Sequence, residues 1–237
     1  MTSPEQSESK TDEPSFELDR VWLRFRDPAV ESVFVSETLR QSINFIRAYF
    51  IAGTGLYAAF GILDVVVGDK ALAAMLAIRF GFVIPILLTI FTLTFFPVFF
   101  RIAQPLLAST MLASGLGIVA LTSIMGPPFN SQYYAGLIMV VIYCGSLIRL
   151  KFHYSILISI FLVIAYQAAC LINPIPVAFY ISNNFFLAMA SGVGLFSGYI
   201  TELYIRKAYV GQKTVEAKNR LVSEALAEAV QIGRAHV

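Results

Sequence analysis

Six apolar stretches, each close to the length needed to cross a bilayer, constrain this chain more than any other feature. They cover residues 45–67, 72–96, 104–125, 133–148, 152–172 and 184–205, and a helix needs about 20 mostly apolar residues to traverse the hydrocarbon core. The breaks between them carry turn residues or charge: "GDK" at 68–70, "FPVFFR" at 96–101, "GPPFNSQ" at 126–132, "RLK" at 149–151 and "NPIPVAFYISNN" at 173–184. Of the 237 residues 57% are hydrophobic and 14% charged, with a mean hydropathy of +0.73. A soluble domain is about 45–50% apolar, so the expected class is all-α, a polytopic six-helix transmembrane bundle.

Charge placement sets the expected orientation. With the N-terminus inside, 15 of the 17 Lys and Arg residues fall on cytoplasmic segments, leaving only Lys70 and Arg79 on the other side. Both termini are therefore expected in the cytoplasm, with the lipid bilayer as the first partner. Residues 1–19 are polar and lack an apolar signal core, which reads as a disordered tail. Residues 20–44 read as a juxtamembrane helix, with Asp27 as N-cap and Pro28 at its first position. Residues 45–205 form the membrane domain, and 206–231 a cytoplasmic linker helix. Within the linker, Ala208, Val215, Val222 and Ala229 recur every seven residues and Ala225 or Leu226 supplies the second position of the last heptad, so a homodimer through this helix is expected.

The last residues break the pattern. Gln231–Val237, "QIGRAHV", reverse-translates through permitted codons to CAG ATC GGA AGA GCA CAC GTC, the common adapter of short-read libraries read in frame. Residues 232–237 are accordingly expected to be adapter-derived, and the chain an N-terminal fragment lacking its output domain.

Motifs for nucleotide binding, metal binding or nucleophilic catalysis are not found, and no catalytic residue, metal, cofactor or nucleic-acid partner is expected. Cys144 and Cys170 sit in apolar runs and read as buried thiols. Ionisable residues at membrane depth are the better candidates, because keeping them there demands a partner. Asp64 near the end of the first span and Arg79 two turns into the second are joined by the tight "GDK" turn, so an Asp64–Arg79 pair is geometrically reasonable. With Tyr133, Tyr134, Tyr166, Gln167, Asn183 and Asn184 they could line a small pocket open to the outside; interface aromatics and helix-to-helix hydrogen bonds are the alternative. Glu202 and Arg206 are spaced for an i,i+4 pair at the inner end of the last span.

The residues "LRFRDPAVESVF" (23–34), "LYAAFGILD" (56–64), "YYAGLIMVVIY" (133–143) and "NNFFLAMASGVGLFSGYITELYIRK" (183–207) resemble the six-span N-terminal membrane region of bacterial signalling proteins. That region precedes class III adenylate/guanylate cyclase domains, and similar modules precede histidine kinases and diguanylate cyclases. The resemblance covers residues 20–215 and implies a dimeric inner-membrane sensor whose sixth helix passes a conformational change to a cytoplasmic enzyme. Its stimulus is not readable. "NRLVSEALAEA" is similar to the helix leading into the phosphoacceptor domain of histidine kinases, and the Leu-rich "LLLNILP"-like continuation of the cyclase junction is not present, which favours a histidine kinase output. The signal-transducing residues implied are Glu202, Arg206, Val215, Val222 and Leu226. A small transporter and a simple membrane anchor remain as alternatives.

Overall fold

The computed structural model describes residues 16–146 and 150–235, and its architecture is all-α apart from one small hairpin. Strands β1 (Leu18–Asp19) and β2 (Arg24–Phe25) pair antiparallel ahead of the first helix. Residues 18–25 thus form a turn-and-hairpin where the sequence suggests the end of a tail and the start of a helix. Asp19 closes it by accepting from the Val21 and Trp22 amides. Helix α1 (Pro28–Val67) then runs through the expected juxtamembrane segment and first span without a break. Asp27 caps it, its carboxylate accepting from the Ala29 amide at 2.8 Å.

The second stretch is not one regular helix. It divides into α2 (Leu72–Leu76), a π-helical turn (Ala77–Val83) and α3 (Ile84–Leu93). Pro85 supplies the physical reason: it has no N–H for the carbonyl four residues earlier and its ring crowds that carbonyl, so the turn before it widens. Pro105 acts similarly in α4 (Val98–Ile124), where Ile102 leaves helical geometry at φ −124° and ψ 26°. Arg47 of α1 closes the end of α3 by donating to the Thr94 carbonyl at 2.8 Å.

Helices α5 (Tyr134–Ser146), α6 (Phe152–Ile172) and α7 (Val177–Ala235) complete the bundle. Among the described residues five helical segments, α1, Asp69–Leu93, α4, α6 and α7, are long and apolar enough to cross a membrane. Helix α5 has 13 described residues, and the expected end of its stretch, 147–148, lies outside the described residues. Helix α4 forms the centre: 61% of its apolar window is buried, against 17% to 39% for the other four. Leu107, Met111, Ile118 and Leu121 of α4 join Tyr57, Val83, Leu137, Leu162 and Leu187 in one core. Outside the core the helices present bare Ile62, Val66, Ile164, Leu171 and Phe196. So broad an apolar exterior is unfavourable in water and suits a hydrocarbon surrounding.

Glycine decides how closely α5 and α7 approach. Gly145 faces the backbone of Gly194, and Gly198 faces the Gly145 carbonyl, so a Cβ at 145 or 198 would overlap main-chain atoms. Small residues of this kind let helices pack backbone to backbone in lipid.

Candidate functional site

Two clusters of charge lie at opposite ends of the bundle. The first lies where α1 meets the π-helical turn. Arg79 Nε donates to Asp64 Oδ2 at 2.5 Å and Nη2 to Oδ1 at 2.9 Å, a two-bond fork with both side chains fully enclosed. Nη1 also donates to the Tyr57 carbonyl at 2.9 Å and Nη2 to the Tyr133 hydroxyl at 3.2 Å. The widened turn brings Arg79 inward, and the guanidinium stacks over the Tyr57 ring at 4.8 Å.

The other polar residues singled out from the sequence form separate contacts. Asn183 donates to the Tyr166 hydroxyl at 3.0 Å and the Ser131 carbonyl at 2.7 Å, joining α7 to α6 and to the loop before α5. Gln167 donates to Asn184 Oδ1 at 2.6 Å and accepts from the Tyr180 hydroxyl at 2.6 Å. Tyr134 packs its ring 6.4 Å from that of Tyr166. Tyr133 therefore belongs with Asp64 and Arg79, while Gln167 and Asn184 form a polar link between α6 and α7. These contacts are hydrogen bonds between neighbouring helices and the loop before α5.

The second cluster lies where α7 leaves the bundle. Arg206 Nε and Nη2 donate to Glu202 Oε1 at 3.1 and 2.8 Å, one turn back on α7. Its Nη1 and Nη2 also donate to Glu31 at 2.6 and 3.1 Å, bridging to the first turn of α1. Lys151, ahead of α6, reaches the same Glu31 at 3.3 Å, and the Phe25 amide donates to it at 3.1 Å. Glu202 completes the ring by accepting from the Phe152 amide at 2.8 Å, the first N–H of α6. Three segments distant in sequence thus close on a guanidinium only 1% exposed.

Aromatic rings enclose this clasp. The Arg206 guanidinium stands 4.4 Å from the centre of the Phe34 ring and 5.2 Å from that of Phe25, while Tyr209 packs edge-on to Phe34 at 5.1 Å. One turn further along both helices, Lys213 pairs with Glu37 at 3.1 Å. Glu31, Phe34 and Glu37 of α1 therefore meet Arg206, Tyr209 and Lys213 of α7. Burial alone pushes the Glu31 carboxyl up, but the two Arg206 hydrogen bonds and the nearby positive charges outweigh it and hold Glu31 below its ordinary 4.5.

An open cleft of about 1020 Å³ lies beside the clasp, lined by Trp22, Arg24, Glu31, Lys151, His153 and Arg206 among others. The i,i+4 spacing marks Glu202 and Arg206 in the sequence, but nothing in the spacing singles out Glu31, Phe34 or Tyr209. The nearest signal for Glu31 is its place in the first turn after a capping Asp, where an acid is ordinary. Val215, Val222 and Leu226 lie beyond the clasp on α7 and are 56%, 68% and 65% exposed. No protein-family model, curated protein or solved structure matches the chain.

Proposed function

We propose that the chain is the membrane-embedded sensor and transducer region of a bacterial signal-transduction protein. In this reading it is a multi-pass module of the inner membrane with both termini cytoplasmic, α5 making the sixth crossing. It acts as a homodimer joined through α7, and the output it drives is a histidine kinase. A class III adenylate/guanylate cyclase or a diguanylate cyclase is the alternative output. The observation that carries the reading is α7 itself: one helix, Val177–Ala235, runs from the packed bundle into an extension with no break. A rotation or shift imposed at its packed end therefore has a rigid path outward. The buried Arg206 clasp lies on that path and ties it to α1 and α6, which supports a coupling role beyond anchorage. The exposed Val215, Val222 and Leu226 offer a seam for a second copy.

A chimera tests this. Residues 1–231 are joined in helical phase to the catalytic core of a well-behaved histidine kinase and assayed for autophosphorylation in membranes. Arg206→Gln is expected to change the activity several-fold at unchanged expression. Activity indifferent to Arg206 and Glu31 would leave only an anchor.

A further inference from the structure

An open apolar groove lies between α1 and α5 with α4 as its floor. Its rim residues Leu56 and Met139 are 45% and 42% exposed, so it opens sideways onto the apolar exterior rather than toward an end of the bundle. Ser114 and Ile118 of α4 line the floor.

Tyr49, Thr54 and Tyr57 of α1 bring hydroxyl side chains to this apolar lining. Tyr57 is 6% exposed, and its hydroxyl has no hydrogen-bond partner among the described residues. A buried polar group without a partner is unusual in a native structure and points to something that would satisfy it. The oxygen occupies the notch left by the missing side chain of Gly117, which lies between Ser114 and Ile118 along α4. Thr54 also lines the groove. The hydroxyls of Thr110 and Ser114 are different: they donate to their own helix, to the Leu107 and Thr110 carbonyls.

We infer that this groove is a binding site for a membrane-borne molecule with an apolar chain and a carbonyl acceptor, and that the Tyr57 hydroxyl donates to the carbonyl. The apolar walls take the chain, entry is lateral from the lipid, and the buried Tyr57 hydroxyl supplies selectivity. The acceptor must reach the floor of the groove, because the hydroxyl is occluded from the surroundings. Occupancy would be felt next door, since the Tyr57 ring lies under Arg79 and its carbonyl accepts from that guanidinium. Binding itself requires no output domain, so the site stands or falls independently of the signalling reading.

The test uses the full chain in detergent micelles and two radiolabelled probes of equal length, 2-heptadecanone and heptadecane. The wild type should bind the ketone saturably, one per chain, and the alkane about tenfold more weakly. Tyr57→Phe should fold with undiminished thermal stability and bind the ketone no better than the alkane. Met139→Trp, which fills the rim, should abolish binding of both. Displacement of the ketone by excess diacyl phospholipid would assign the natural occupant to lipid esters, and displacement by a decyl-benzoquinone to quinones. The inference is overturned if the ketone shows no saturable binding, if Tyr57→Phe binds it as tightly as the wild type, or if neither competitor displaces it.

Discussion

At the scale of single residues, the Asp64–Arg79 fork shows what enclosure demands of charge. Both side chains are 0% exposed, and every polar atom of the guanidinium that donates finds a partner in Asp64, Tyr57 or Tyr133. Removing one member leaves the other charged and unpaired in a low-dielectric interior, at about 3–5 kcal/mol. Asp64→Leu should therefore lower the unfolding temperature in detergent strongly, whereas Asp64→Leu with Arg79→Met should recover most of the loss. This pair was legible in the sequence because a three-residue turn forces its two helices to be antiparallel neighbours, leaving few partners within reach. Glu31 was not legible, since its partner Arg206 lies 175 positions away and no local rule brings them together.

At the scale of elements, the sequence marks where helices lie better than how they bend or end. The 152–172 span matches α6 at both ends because charge and proline bracket it tightly. The 72–96 stretch divides because a proline inside an apolar run changes the hydrogen-bond pattern without changing hydropathy. Helix α7 begins seven residues before the expected 184, where Pro174 and Pro176 precede it and Val177 starts the first turn. Close approach of α5 and α7 rests on absent side chains, and hydropathy is silent on which glycines face one another. Gly145→Ala forces backbone apart at its contact with Gly194, while Gly192→Ala has open space to fill. Cysteine cross-linking across the α5–α7 contact should fall sharply for Gly145→Ala and stay at the wild-type level for Gly192→Ala.

At the scale of the whole molecule, a bundle with an apolar exterior continues into a helix that leaves it and remains exposed. Residues 214–232 of α7 are exposed throughout, and a solitary helix of this kind gains little without a partner. Val222→Cys should form an intermolecular disulfide in membranes, and Lys218→Cys a weaker one, if the seven-residue spacing is the seam. The Glu31–Arg206 clasp holds the exit of α7 against α1. Its most direct measurement is a spin-label distance between Ser36→Cys and Gly211→Cys, diluted with unlabelled chain and read against pH. Glu31 titrates below its ordinary 4.5, so its stabilisation is fully present above that value and is lost as the pH falls through its lowered folded-state value. The account predicts one narrow distance from neutral pH down to about 4.5, a broad distribution at lower pH, and the same broad distribution at every pH in Glu31→Gln. A narrow distance that survives Glu31→Gln unchanged would contradict it.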